Sequence, residues 1–254
     1  MNLDSFKLTG KNALVTGSRT GLGRAMAIGL AEAGANVMVH GSKETGLDEV
    51  SSAVRAAGGR SGRVIADLSD QGAAARLMEA TIAELGSIDI LINNAGIARR
   101  KPAIDYSMED WNAIVQINLT AVFQMAQLAG RHMIAQGRGK IINIASLLSY
   151  QGGILVPAYA AAKGGVATLT MALANEWAPK GVNVNAIAPG YMSTDLTAAL
   201  EADPVRGRAI VDRIPAGRWG LPKDLAGAAV FLASPASDYV HGTVLAVDGG
   251  WLGR

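Results

Sequence analysis

The sequence predicts an α/β fold, a doubly wound parallel sheet with helices on both faces, and three observations carry that prediction. Short β-branched or apolar runs alternate with longer helical segments along the chain. Some of these runs are apolar at nearly every position, as expected for strands covered on both sides. A glycine-rich turn joins the first run directly to the first helical segment.

Taken in order, the strand candidates are "NALVT" near 12, "NVMVH" near 36, "RVIA" near 63, "IDILIN" near 88, "KIINIA" near 140, "VNVNAIA" near 182 and "VLAV" near 244, which makes seven. Between them, "GRAMAIGLAEAG", "AAARLMEATIAELG", "WNAIVQINLTAVFQMAQLAGRHMIAQG" and "YAAAKGGVATLTMALANEWA" have helical length and spacing. Ser107 stands three residues before Asp110 at a helix start, and Pro222 suits the first turn of "PKDLAGAAVFLA". No Pro/Ser-rich linker, charge block or repeat divides the 254 residues, so one domain over 1–254 is expected.

Composition removes several classes of function. Lys+Arg 23 against Asp+Glu 21 are scattered in mixed sign, with no basic stripe for nucleic acid or an anionic membrane. The absence of cysteine excludes disulfides, thiolate zinc sites and cysteine nucleophiles. His40, His132 and His241 are dispersed, so no metal site is expected, and no G-x-S-x-G elbow points to a hydrolase. The start "MNLDSFKLTG" lacks a signal-peptide pattern and no run of about 18 apolar residues suggests a membrane span, so a cytoplasmic location is the expectation.

After the first strand, "TGSRTGLG" places Gly17, Gly21, Leu22 and Gly23 at a helix start, whose unpaired N–H groups and positive dipole suit a pyrophosphate. The spacing differs from the usual G-x-G-x-x-G. Dinucleotide folds commonly end their second strand with a carboxylate that binds the adenosine ribose and repels a 2′-phosphate. Here "VMVHGSK" has no carboxylate until Glu44, and Arg19, Ser42 and Lys43 either face a phosphate or are solvated; NADP is permitted on this reading.

Tyr159 and Lys163, four apart in "VPAYAAAKGG", share a helix face. A nearby cation stabilises a phenolate, which makes the pair a plausible acid/base device for alcohol and ketone interconversion beside a nicotinamide. Thirteen residues earlier Ser146 ends the strand "IINIAS", at the edge where open α/β sheets place ligands. "NNAG" (93–96) and "APGYMST" (188–194) end two further strands at that edge, and Asn118 lies in a long helix as either a satisfied core amide or a functional one.

Together these residues closely resemble the classical short-chain dehydrogenase/reductase family, and the match runs over essentially the whole chain. The resemblance implies a single Rossmann-type domain with seven parallel strands, assembled as a homotetramer. It implies that Tyr159 is the general acid/base, Lys163 its pKa-lowering partner and a ligand of the nicotinamide ribose, Ser146 the group orienting the carbonyl, and Asn118 the anchor of a proton-relay water. Asp67 would meet the adenine amino group with Leu68 beside it; Asn94, Ala95 and Gly96 would flank the cofactor with Pro189 and Gly190; and Thr194 would contact the carboxamide.

Stretches such as "NNAGIARR", "IINIASLLSYQGGILVPAY", "DRIPAGRWGLPKDL" and "AVDGGWLGR" resemble the branch of the family that acts on keto-deoxy sugar acids. This implies hydride transfer at a C5 alcohol or ketone, typically with NAD(H). A sugar acid calls for a cation facing its carboxylate and polar groups for its hydroxyls. Arg99 and Arg100 are candidates for the first, and Gln151 and Tyr191 for the second. Trp251 and Leu252, apolar at a chain end, are expected to reach a neighbouring subunit. The competing readings are a gluconate 5-dehydrogenase or another sugar-acid reductase, a 3-oxoacyl-carrier-protein reductase, and a dinucleotide-sensing protein without catalysis.

Overall fold

The computed structural model describes residues 3–254; the first two residues of the chain start read above, and of the expected 1–254 domain, lie outside the described residues. Strand β1 (Asn12–Val15) is followed by helix α1 (Gly21–Glu32), β2 (Asn36–Gly41), α2 (Leu47–Ala56), β3 (Arg63–Ile65), α3 (Ala73–Leu85) and β4 (Ile90–Asn93). The second half continues with α4 (Met108–Val115), α5 (Ala121–Gln136), β5 (Gly139–Ile144), α6 (Pro157–Trp177), β6 (Val182–Pro189), α7 (Ala198–Glu201), α8 (Arg206–Arg213), α9 (Ala226–Ala233) and β7 (Val244–Val247).

Among the described residues, the seven strands form one sheet of order β3-β2-β1-β4-β5-β6-β7, and every pairing is parallel. This is a single Rossmann-type sheet, with the strand order reversing between β1 and β4. Alternate side chains enter opposite cores because the strand period is two. Val15, Ile92 and Ile142 pack with α1, α2 and α9, whereas Leu14, Leu91 and Ile141 pack with α3, α5 and α6. That two-sided burial explains why the central strands read as unbroken apolar runs.

The helix starts follow local chemistry. Ser107 caps α4 by accepting the N–H of Asp110 at 3.1 Å. Pro222 opens a 3-10 turn, Pro222–Leu225, that runs into α9, and Asp224 accepts the N–H of Leu221 at its start. Helices α2, α7 and α8 are additional to the segments anticipated above. The helical stretch Met108–Gln136 is long and apolar enough to cross a membrane, with a mean hydropathy of 1.2. Its apolar side chains Met125, Ala129 and Met133 are instead buried in the core beneath the sheet.

Central and edge positions should respond differently to truncation. Leu91→Ala in fully buried β4 is expected to lower unfolding free energy by about 2–5 kcal/mol. Ile65→Ala on the edge strand, where the side chain is 52% exposed, is expected to change it by less than about 0.5 kcal/mol, and chemical denaturation measures both.

Candidate active site

The sheet edge beside the β1/β4 reversal opens because chains leaving the two strands diverge. Gly17 turns the chain there at φ +63°, and a Cβ on it would stand 2.9 Å from the Cα of Ala95. The loop is therefore pressed against "NNAG", and hydrogen bonds hold it. Asn94 Nδ2 donates to the carbonyls of Thr16 (2.9 Å) and Gly17 (3.0 Å), while Thr16 Oγ1 accepts the N–H groups of Asn94 (2.9 Å) and Ala95 (3.0 Å). His40, buried on β2, accepts the Gly17 N–H at Nδ1 (3.0 Å) and meets the Ala66 carbonyl at Nε2 (2.9 Å). A carbonyl only accepts, so Nε2 carries the proton. Burial lowers the His40 pKa and keeps the ring in that neutral form.

A cleft of about 380 Å³ runs along this edge. The glycine loop contributes Gly17, Arg19, Gly21 and Leu22; Ser42, Asp67 and Leu68 follow from the ends of β2 and β3. Asn94, Ala95 and Gly96 come from the end of β4, and Tyr159, Lys163 and Thr194 close the far side. Thr20 and Asp195, which the sequence reading left out, line it too. Three anticipated positions stand elsewhere. Gly23 packs against the Gly17 carbonyl in the first turn of α1, and Pro189 and Gly190 line the adjoining cavity. Lys43 is not among the lining residues. Thr20, the residue ahead of α1, makes no side-chain cap, so the first N–H groups of α1 remain available to an anion.

Asn118 sits in a π-helical turn, Gln116–Thr120, that interrupts the α4–α5 rod. Its Nδ2 donates to the carbonyls of Ile97 and Ile114, each at 2.9 Å. Among the described residues its Oδ1 is the one buried side-chain polar atom without a partner. A Cβ on Gly96 would approach that oxygen to 2.6 Å, so glycine there leaves the Asn118 oxygen facing the cleft. The alternative of a satisfied core amide therefore fits only one end of the group.

Tyr159 and Lys163 project from the first two turns of α6, whose start Pro157 suits by lacking an N–H. Lys163 Nζ is buried, donates to the Ile144 carbonyl at 2.5 Å and stands 5.6 Å from the Tyr159 ring centroid. Burial pulls the Lys163 pKa down to about 8. Burial pushes the Tyr159 hydroxyl up, while a hydrogen bond with Ser146 and the charge of Arg100 pull it back. Arg100 is thus the cation whose charge lowers the hydroxyl pKa, while Lys163 lies over the ring. Ser146, in extended conformation at the end of β5, also accepts the Leu148 N–H at 3.1 Å.

Beyond Ser146 and Tyr159 lies a second cavity of about 140 Å³. Arg100 and Tyr191 line it, as does Arg206, which the sequence reading did not single out. Arg99 and Gln151 do not. Arg99 turns back to Asp110, which also holds Lys101 at 2.6 Å, and the two cations lower the Asp110 pKa to about 2. Gln151 accepts the Trp251 indole N–H at 3.3 Å. The chain end is not left reaching outward: Trp251 is 4% exposed, edge-on to Tyr191, beneath the Arg213 guanidinium, and clustered with Leu200, Ile210, Ile214 and Trp219. No cluster of three potential metal ligands occurs among the described residues.

A doubly wound sheet with a glycine-loop cleft leading to a Ser, Tyr and Lys constellation defines an oxidoreductase of the nicotinamide-dinucleotide class. The comparisons with known proteins agree. The sequence family described as enoyl-(acyl carrier protein) reductase matches residues 17–252. A 2-dehydro-3-deoxy-D-gluconate 5-dehydrogenase of Dickeya dadantii is 54% identical over the full length of both chains. Two solved structures are also similar. One, from Agrobacterium tumefaciens, is described as a proposed 2-deoxy-D-gluconate 3-dehydrogenase with bound NADP, with a TM-score of 0.92 and 52% identity over 98% of this chain and 99% of that one. The other, from Beutenbergia cavernae, is a proposed NAD(P)-dependent gluconate 5-dehydrogenase with NADP at low occupancy, with a TM-score of 0.95 and 50% identity over 98% of this chain and 100% of that one. The chain belongs to the short-chain dehydrogenase/reductase family.

The buried ammonium has a measurable consequence. Folded Lys163 titrates near 8 against 10.5 for an exposed lysine, so between those values the unfolded chain binds more protons and this group makes stability rise with pH. Lys163→Met is expected to melt at or above the wild-type temperature at pH 7 without cofactor, with the gap closing as pH rises from about 8 to 10. A gap that stays constant across that range in thermal melts would contradict a charged, buried Lys163.

Proposed function

We propose that this chain reduces and reoxidises a keto-deoxy sugar acid, moving a hydride between NADP(H) and the C5 carbon of 2-dehydro-3-deoxy-D-gluconate or a near relative. The observation that carries the substrate class is the charge of the second cavity: its lining includes Arg100 and Arg206 and no carboxylate, so it favours a small anion beside Ser146 and Tyr159. The sugar-acid dehydrogenase similar over its whole length supports the same class. A cavity of this size and sign suits a compact acid better than a long acyl thioester.

The residues fit a dinucleotide. Gly17 lines the cleft, and Arg19 packs over Gly41 at the end of β2 and Gly46 at the start of α2, with Ser42 also in the lining. A cation where NAD enzymes carry a carboxylate supports NADP(H), although the family branch alone implied NAD(H). When bound, the nicotinamide supplies or takes up the hydride. In ketone reduction Tyr159 gives its proton to the carbonyl oxygen, and Ser146 donates a hydrogen bond that holds that oxygen in place. In alcohol oxidation Tyr159 takes the proton back. Lys163 holds ribose hydroxyls and keeps positive charge under the tyrosine, and Asn118 holds a water that returns protons from solvent. We further infer a single working domain over 1–254, a cytoplasmic location and a homotetramer; Phe123 on α5 and Met171 on α6, 41% and 46% exposed, support a helix-mediated assembly that light scattering would test.

Tyr159→Phe is expected to lower kcat by at least about 10²-fold while leaving NADPH affinity within a few-fold, read by steady-state kinetics and fluorescence titration. Because burial raises the Tyr159 pKa, alcohol oxidation should accelerate as pH rises, whereas ketone reduction should hold through neutral pH and decline in the alkaline range. Arg19→Ala should cut kcat/KM for NADPH by about tenfold and leave NADH little changed, as expected for loss of a charge-assisted contact. Equal losses with both cofactors would remove the phosphate-binding role from Arg19.

A further inference from the structure

We propose that Arg206 is the anchor for the substrate carboxylate, placed across the cavity from Arg100 so that the two arginines divide the two ends of the acid. The proposal rests on the sugar-acid reading above and deepens it.

The two guanidinium groups arrive from different walls. Arg100 belongs to the segment after β4, tied by the Lys101 N–H to the Leu155 carbonyl at 2.9 Å. Arg206 is the first residue of α8, on the segment that follows β6. Arg100 lies near enough to Tyr159 for its charge to lower the hydroxyl pKa, which puts it at the reacting end. In a C5 ketone or alcohol the C1 carboxylate is four bonds from the reacting carbon. A cation beside Tyr159 therefore suits the reacting oxygen, and the acid group needs a second cation further along the cavity. Arg206 is the other charged residue in its lining.

The local setting of Arg206 is otherwise hard to account for. A cation in the first turn of a helix opposes the helix dipole. The backbone there is already satisfied, because Asp203 Oδ1 accepts the N–H groups of Val205 (3.0 Å) and Arg206 (2.8 Å). Five arginines lie between positions 201 and 254, and four have partners among the described residues. Arg208 pairs with Asp212, Arg218 with Asp224, Arg213 covers Trp251, and Arg254 donates to the Asp212 carbonyl. Arg206, half-buried, lines the cavity and its guanidinium makes no hydrogen bond or ion pair among the described residues; the Asp203 carboxylate feels its charge but spends Oδ1 on the backbone N–H groups of Val205 and Arg206. Partial burial of a guanidinium with no hydrogen-bonded counter-ion is costly, and a substrate carboxylate offers the direct bidentate partner that Asp203 does not.

Helix α8 is also held in place. Ile210 and Ile214 pack with Leu200, Trp219 and Trp251 onto Leu147, the residue after Ser146. The anchoring cation and the hydroxyl that holds the reacting oxygen thus share one apolar cluster. The distance from Arg206 to Tyr159 then selects which carbon of the acid is presented for reaction.

The test compares the 2,5-diketo-3-deoxyhexonate with its methyl ester, using NADPH and wild-type, Arg206→Met, Arg206→Gln, Arg206→Lys and Arg208→Met proteins. In R206M and R206Q the KM for the acid should rise at least about 30-fold with a smaller change in kcat. The acid-to-ester ratio of kcat/KM should fall by a similar factor, and R206K should recover part of it. R208M should keep the wild-type ratio. NADPH titration and melting temperature identify a variant that has lost its fold; if R206M does so, R206Q gives the reading. A wild-type ratio in R206Q would overturn the role of Arg206 and leave the sugar-acid reading standing. A wild-type enzyme that does not prefer the acid to its ester would overturn the sugar-acid reading and this proposal with it.

Discussion

The clasp across the diverging ends of β1 and β4 is the interaction on which the site depends. Parallel strands whose chains depart in opposite directions leave a crevice that nothing in the sheet hydrogen bonding closes. Here Thr16 and Asn94 bridge it with four hydrogen bonds, and the neutral imidazole of His40 steadies the same loop from β2. The glycine loop can then present its backbone to a ligand without also having to order itself on binding. Without that clasp, the chain on either side of the crevice would pay its ordering entropy when the dinucleotide arrives.

The second constraint is the burial of polar groups that the fold does not fully compensate. A chain of hydrogen bonds from Asn93 to Asn143 to Thr170 ties β4, β5 and α6 together through the core. Ser149 adds a bond to the Lys163 carbonyl at 2.7 Å. These contacts set the position of α6 against β5, and so the position of Tyr159 against Ser146. Against that rigid frame stand the buried Lys163 ammonium and the partnerless Asn118 oxygen, both of which cost stability in the protein alone. Retaining such groups at one edge of the sheet is the pattern expected where stability is exchanged for function.

Recognition of the acid is assembled from segments far apart in the chain. Arg99 and Arg100 are equivalent as a dipeptide; the carboxylate of Asp110, on α4 and eleven residues further along the chain, captures Arg99 by direct contact and leaves Arg100 to the cavity. The chain end contributes indirectly. Trp251 and Leu252 complete the apolar cluster under α8, and the indole N–H holds Gln151 away from the cavity and against the tail.

Much of this protein was determined by its sequence alone. The short, β-branched, nearly unbroken apolar runs alternating with longer helical segments, together with the glycine turn, specify the strands and the parallel class, because runs of that length bounded by turns suit strands covered on both faces. The Tyr159 and Lys163 pair needs only helical spacing to share a face, and Gly17 needs only its backbone freedom to make the turn. Short helices such as α8 were not legible: "RGRAIVDR" is mostly charged, and Ile210 becomes an anchor only when Trp219 and Trp251 are brought to it. Tertiary structure alone decided which charges face the cavity, why Gln151 serves the tail, and that Arg206 joins Arg100. Those outcomes depend on pairings between residues distant in sequence, where an ion pair or a buried contact in one place settles what is left over in another.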